Sequence, residues 1–208
     1  MSVEWLLIRG SGIAAFMLLS GTVIWGLLVS TKLMGRWVKA RPLTWFHESL
    51  GLGALVATLV HISVLSVHEF LPFSWSEILI PGVASWRPMA VGLGVVALYG
   101  LAVVVSSFYI RRFIGQRAWR LIHFASFGVF LSALLHGIQS GTDTDSPLML
   151  GMYAGTTVVV FVLAAQRLVS EGEKTRTRMV RSRVPGDDQT PENRRSTAEV
   201  SAARSGSE

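Results

Sequence analysis

The chain has 208 residues, of which 50% are hydrophobic and only 15% are charged, and it contains no cysteine. Several uncharged stretches reach the roughly 20 residues that a helix needs to cross a hydrocarbon core of about 30 Å. The composition excludes a soluble domain and predicts an all-α, polytopic membrane helix bundle of about five transmembrane helices. The lack of cysteine also excludes disulfides and thiolate-held metal clusters.

Five apolar runs divide the chain, at residues 10–30, 43–67, 89–110, 119–139 and 148–168. A signal peptide is the alternative for the first run, but the run is longer than the apolar part of such a peptide and no small-x-small cleavage site follows it. Between the second and third runs, residues 69–87 are rich in Trp and Pro. Within them, the short stretch 78–84 is expected to lie along the membrane interface.

The composition changes from about Ser170 onwards to charged and small polar residues with Pro and Gly. Such a segment cannot bury enough apolar surface to fold. The sequence therefore predicts a transmembrane domain at residues 1–169 and a disordered, charged tail at residues 170–208.

The basic residues lie in alternate connections, so the net charge of +6 indicates membrane topology rather than nucleic acid binding. The connections after the first and third runs each carry four: Lys32, Arg36, Lys39 and Arg41, then Arg111, Arg112, Arg117 and Arg120. The other two connections carry acidic residues and a single Arg. By the positive-inside rule, the N-terminus of this multi-pass protein of the cell membrane is outside and its C-terminal tail is cytoplasmic.

Four histidines lie within the apolar runs, in two pairs. His47 and His61 are fourteen residues apart in the second run, and His123 and His136 are thirteen apart in the fourth. An ionisable side chain inside a bilayer is costly, so each is a functional-site hypothesis by default. In the predicted orientation, His47 and His123 lie near the cytoplasmic face and His61 and His136 near the outer face. The two depths are about 20 Å apart.

One histidine from each helix at each depth is an arrangement that binds both axial positions of a haem iron. Such ligation saturates the iron and suits electron transfer rather than oxygen binding. The alternative is that each histidine is a buried polar residue that bonds across helices. An ideal helix leaves His136 about 140° from His123, so a bulge, tilt or supercoil is required. His68 is expected to be solvated. Four glycines are expected to let a flat macrocycle approach the backbone: Gly51, Gly53, Gly128 and Gly137.

With these pairs in view, the chain resembles the ferric reductase-like transmembrane domain superfamily. That group includes the membrane domains of NADPH oxidases and ferric reductases and the haem membrane subunit of bacterial methionine sulfoxide reductase. The shared features are the His-x13-His and His-x12-His helices, Trp-Arg-Leu-Ile-His at 119–123 and His-Gly-Ile-Gln-Ser-Gly-Thr-Asp at 136–143. The resemblance covers residues 10–168.

The resemblance implies two b-type haems, bound by His47 with His123 inside and by His61 with His136 outside. Electrons would pass from a cytoplasmic, flavin-dependent donor to an acceptor at the outer face. The chain differs from oxidases and ferric reductases in having no flavin or nicotinamide domain and five spans rather than six. We therefore expect the redox membrane component of an oxidoreductase, with no catalytic residue of its own. A non-catalytic haem-binding sensor or assembly protein and a quinol-linked cytochrome b are the alternatives.

Overall fold

The computed structural model describes residues 3–31, 40–67 and 73–183, and within these ranges the chain is helical with short connections and has no strand. The helices are α1 (Val3–Ser30), α2 (Ala40–Val67), α3 (Trp75–Leu79), α4 (Pro88–Phe124), α5 (Ser126–Ser140) and α6 (Pro147–Arg183). The described part contains four helical stretches long and apolar enough to cross a membrane: Val3–Ser30, Pro42–Val67, Pro88–Ser140 and Pro147–Thr177. The predicted all-α membrane helix bundle is confirmed.

The outside of the bundle is apolar. Phe113 and Leu121 are each 75% exposed, and Leu, Val and Ile side chains cover much of the remaining surface. A soluble monomer rarely exposes large contiguous apolar patches. In a bilayer the same side chains contact lipid, and the helices satisfy their own backbone hydrogen bonds. This surface is that of a membrane protein.

The 53-residue stretch Pro88–Ser140 is folded back on itself. A Cβ on Gly94 would lie 2.7 Å from the His136 ring, and one on Gly100 would lie 2.6 Å from Val129. Such contacts between the two ends exclude a straight helix and require antiparallel halves whose turn lies near residue 115. Gly115 adopts φ 80° and ψ 160° there, a conformation essentially restricted to glycine. The described part of the chain therefore has five apolar helical segments, as the hydropathy pattern predicts.

Replacing Gly115 by Ala is expected to destabilise this turn by about 1–3 kcal/mol, because a Cβ disfavours the backbone conformation. Thermal unfolding in detergent, followed by circular dichroism, measures the effect. Gly128→Ala is the matched control, since nothing lies within 4 Å of a Cβ built at Gly128 and alanine is the better helix former. Equal stability of the two variants would contradict the assignment of the turn.

The hairpin of α1 and α2 is also antiparallel, because Gly12 contacts His61 and Gly26 contacts His47. The core of the bundle lies between these two levels. On α2 it contains the fully buried Ala54, seven residues from each histidine. The rest of this buried layer comes from α1, α4, α5 and α6: Phe16, Leu19, Val23, Leu27, Leu101, Val129, Phe130, Leu134, Val160 and Leu163.

Two helix ends differ from the sequence prediction. α1 begins at Val3, seven residues before the apolar run at 10–30, and this added part contains Arg9, which is paired with Asp143. α6 continues to Arg183, so residues 170–183 are not the disordered tail that was predicted. Glu, Lys and Arg are good helix formers, and the hydroxyl groups of Thr175 and Thr177 donate to backbone carbonyls one turn earlier.

The chain divides into two compact units, Met1–Arg167 and Leu168–Glu208. The first contains the helical bundle, and the described part of the second is the C-terminal portion of α6. Residues 1–2, 32–39, 68–72 and 184–208 lie outside the described ranges. The predictions for the first basic connection, for His68 and for the remainder of the tail fall there.

Candidate functional site

The four predicted histidines come together in two pairs, each joining helices that are distant in the chain. The rings of His47 on α2 and His123 on α4 have their centroids 5.8 Å apart, with 67° between their planes. His61 on α2 and His136 on α5 line the same cavity. We call these the 47/123 pair and the 61/136 pair. The pairing is the one that the depth of each histidine in its run predicts.

A break in the helix lies between His123 and His136. α4 ends at Phe124 and α5 begins at Ser126, and the amide of Ala125 donates to the carbonyl of Ile122, three residues earlier. A 3₁₀ turn advances each residue by about 20° more than an α-helix does. The tightening therefore turns His136 towards the face of His123, in the direction that the thirteen-residue spacing requires.

In the 61/136 pair, each ring is hydrogen-bonded to the backbone of a neighbouring helix. Nδ1 of His61 lies 2.9 Å from the carbonyl oxygen of Ile8, and Nδ1 of His136 lies 2.8 Å from that of Ala90. A carbonyl oxygen only accepts, so Nδ1 carries the proton and donates. A neutral imidazole of this tautomer has its lone pair on Nε2. Both rings therefore offer an unprotonated Nε2, which is the form that binds a metal.

Glycines of the neighbouring helices make room for three of the rings. A Cβ on Gly12 would lie 3.1 Å from Cε1 of His61, one on Gly26 would lie 3.1 Å from Cε1 of His47, and one on Gly94 would lie 2.7 Å from Cε1 of His136. Any larger residue at these positions displaces a ring. Each ring thus packs directly onto the backbone of the adjacent helix.

The 47/123 pair has two buried nitrogens without a hydrogen-bond partner in the described part of the chain, Nδ1 of His47 and Nε1 of Trp119. Trp119 stacks on His123 with centroids 5.2 Å apart and 22° between planes. A buried unpaired donor costs free energy. The indole Nε1 of Trp119 can only donate, so beside the 47/123 pair it is such a donor.

The cavity at the 61/136 pair has a volume of about 290 Å³ and mostly apolar walls. Besides the two histidines, its lining includes Arg9 of α1, which forms an ion pair with Asp143 of the α5–α6 connection. Both side chains of this pair are partly exposed, at 31% for Arg9 and 35% for Asp143. An apolar cavity with a few convergent polar groups is the usual form of a cofactor pocket.

A short segment after α2 covers this cavity. Phe73, Ile78 and Trp86 line it, and Phe73, Ile78 and Ala84 form a small apolar cluster of their own. The carboxylate of Glu77 closes the segment into a loop by accepting hydrogen bonds from the amides of Ser74 (2.9 Å) and Ser85 (2.7 Å). These backbone donors lower the pKa of Glu77 to about 2.

The loop should therefore stay closed until strongly acidic pH. Because the pKa of Glu77 is depressed in the folded protein, its contribution is complete above the ordinary value of 4.5 and is lost as the pH falls towards about 2. The amide resonance of Ser85, followed by NMR in micelles, should shift with a midpoint near the lower value. Glu77→Gln should abolish this titration, and a midpoint near 4.5 in the native chain would contradict the hydrogen-bonded loop.

Sequence reasoning missed the glycines that contact the rings and the Arg9–Asp143 pair. A signal for two of the glycines exists, since Gly12 and Gly26 are fourteen residues apart, as are His47 and His61. The glycines that were predicted to approach a macrocycle, Gly51, Gly53, Gly128 and Gly137, do not contact a histidine ring. A Cβ on Gly137 would lie 2.7 Å from the hydroxyl of Tyr153, and nothing lies within 4 Å of one on Gly128.

No protein-family model, curated protein or solved structure matches this chain.

Proposed function

We propose that this protein conducts electrons across the cell membrane through two b-type haems, one bound by the 47/123 pair and one by the 61/136 pair. The observation that carries the proposal is that two histidines from separate helices come together at each of two levels, as neighbouring rings in the 47/123 pair and in one cavity in the 61/136 pair. Metal–imidazole bonds are about 2.0–2.1 Å long, so two rings on opposite sides of one metal have centroids roughly 6–6.5 Å apart. The 5.8 Å between the rings of His47 and His123 is close to this value.

A haem iron suits these pairs better than a bare metal ion. No group of three or more His, Asp or Glu residues that could hold a metal ion occurs in the parts of the chain described by the structure. Protein sites for zinc need three or four side-chain ligands. A haem iron has four nitrogens from its macrocycle and needs only two axial ligands. The unpaired Nε1 of Trp119 also favours a ligand that carries carboxylates.

The orientation follows from the charges at one end of the bundle. The hairpin turn at Gly115 carries exposed Arg111, Arg112, Arg117 and Arg120, and it lies at the end of the 47/123 pair. The end of α1 and the start of α2, which flank the other basic connection, lie at this end as well. Both connections are then cytoplasmic by the positive-inside rule, the N-terminus is outside and the C-terminal segment is cytoplasmic.

The resemblance of the histidine motifs to the ferric reductase-like superfamily supports the same direction of transfer. The chain would accept electrons from a cytoplasmic, flavin-dependent donor at the 47/123 pair and deliver them to an acceptor at the outer face. It would be the redox membrane component of an oxidoreductase.

When bound, each haem supplies a one-electron iron couple. The residues of the chain hold and isolate these centres. Ile8 and Ala90 orient the outer histidines through their carbonyls, and the buried layer between the pairs excludes water. Arg9 and Asp143 are the charged groups in the lining of the outer cavity.

Haem content tests the proposal directly. Protein purified in detergent from haem-replete cells should contain close to two non-covalent, low-spin b-type haems per chain in a pyridine haemochrome assay. A colourless preparation would exclude the proposal. A sensor or assembly protein would bind haem without transferring electrons, and reduction of an acceptor trapped inside inverted vesicles separates these cases.

A further inference from the structure

Three of the four histidines are held by one repeated arrangement, which we call a glycine seat. In each, the ring lies on a glycine of the neighbouring helix and interacts with the backbone carbonyl four residues before that glycine. The three sets are His61 with Gly12 and Ile8, His136 with Gly94 and Ala90, and His47 with Gly26 and Thr22. In the first two the carbonyl accepts a hydrogen bond from Nδ1. In the third, the backbone of Thr22 lies near the His47 ring, but Nδ1 of His47 makes no hydrogen bond with it.

The spacing of four residues has a physical reason. A helical side chain covers the turn that precedes its own Cα, so a side chain at Gly12 would shield the carbonyl of Ile8. That carbonyl already accepts one hydrogen bond within the helix and has a second lone pair. Glycine leaves this lone pair open to an imidazole from the next helix. The glycine and the carbonyl therefore act as a unit.

The seats repeat along the chain. In the α1–α2 hairpin, Gly12 and Gly26 are separated by the same fourteen residues as His47 and His61. In the hairpin folded at Gly115, His123 and His136 are thirteen residues apart, and the residue thirteen positions after Gly94 is Ser107. Ser107 is small and only 1% exposed.

We propose that the glycine seats are positioning elements that hold the histidines with Nδ1 protonated and Nε2 free, and that Ser107 occupies the fourth seat, opposite His123. Four of the five apolar segments are then two copies of one helical hairpin, each presenting two imidazoles to the space between the copies, and α6 is outside this repeat. Use of the free Nε2 as an iron ligand rests on the proposed function, whereas the seats themselves do not.

The fourth seat differs from the others. The hydroxyl of Ser107 donates to the carbonyl of Val104 in its own helix, at 2.7 Å. His123 has the stacked Trp119 on its ring instead. The ring of His123 is thus oriented by the stacked indole of Trp119. Ser107 leaves room for this ring but accepts no hydrogen bond from it in this proposal.

Histidine tautomers in the full chain test the seats without depending on haem. In protein labelled with ¹⁵N-histidine and prepared without haem, His61 and His136 should both be protonated at Nδ1. Gly94→Ala should change the signals of His136 and leave those of His61. Gly12→Ala should change the signals of His61 and leave those of His136. It provides the test if Gly94→Ala does not insert into the membrane. Gly10→Ala and Gly151→Ala are matched controls, because nothing lies within 4 Å of a Cβ built at either position.

Haem titration of the same variants gives the second measurement. Loss of a group that accepts a hydrogen bond from a metal-binding histidine typically weakens metal binding about 10–100-fold, and this is the change expected at the 61/136 pair in Gly94→Ala. Ser107→Val should perturb His123, whereas Ser106→Val, at an exposed neighbour, should not.

The outcomes are distinguishable. Tautomer changes in the seat variants without haem binding in any form of the protein would support the seats and exclude the proposed function. Histidine signals and haem affinity that are the same in Gly94→Ala, Gly12→Ala and their controls would overturn the seats. A native chain with His61 or His136 protonated at Nε2 would overturn them as well.

Discussion

Replacing His136 by Ala is expected to remove the outer haem and to stop electron transfer across the membrane. The 61/136 pair would lose one of its two axial ligands, whereas the 47/123 pair, about 20 Å away along the helices, would keep both. Haem content should fall from two per chain to one. In inverted vesicles, a cytoplasmic reductant should still reduce the remaining haem, while reduction of an acceptor trapped inside should fall to the background rate.

His123→Ala should remove the inner haem instead, because it removes a ligand of the 47/123 pair, where electrons would enter. The outer haem should remain bound but should no longer be reduced from the cytoplasmic side. His68→Ala is the matched control, since no ligand role is proposed for the fifth histidine, and it should retain both haems and full transfer. Undiminished transfer in His136→Ala would show that the outer pair is structural, and the conduit would be excluded.

Single introduced cysteines should report the orientation as an all-or-none result, because the native chain has no cysteine. Thr142 lies in the exposed connection after α5, and Gln116 lies in the exposed turn beside Gly115. An impermeant thiol reagent added to intact cells should label Thr142→Cys and leave Gln116→Cys unlabelled. The reason is the cluster of four arginines around residue 115, which favours the cytoplasmic side.

Permeabilised cells provide the control for this experiment, and both variants should then be labelled. Labelling of Gln116→Cys alone in intact cells would reverse the orientation. It would also reverse the proposed direction of electron flow, since the 47/123 pair lies at the end of the Gly115 turn.

The architecture is predictable because it depends on local properties of the sequence. The length of an apolar run decides whether it can cross a membrane, and this identified all five segments, including the two that the Gly115 turn joins into one 53-residue stretch. The depth of a histidine within its run likewise decides which partner it can meet. His47 could be matched with His123, and His61 with His136, before any packing was known.

The end of α6 could not be predicted in the same way. Residues 170–183 have too few apolar side chains to form a core, and their helix extends one that begins inside the bundle. A helix that has already been nucleated adds further residues at little cost. The composition of residues 170–183 alone therefore does not predict that α6 continues through them.

The sequence by itself determined the membrane class, the five apolar segments and the depth of the four histidines, because hydropathy and spacing along a helix are properties of single segments. Tertiary structure alone decided that Gly12 and Gly94 lie against His61 and His136, and that Arg9 meets Asp143 in the lining of the cavity. These contacts depend on the register and rotation of one helix against another. A rotation of a single helix by one residue, about 100°, would turn a glycine away from the imidazole that lies on it.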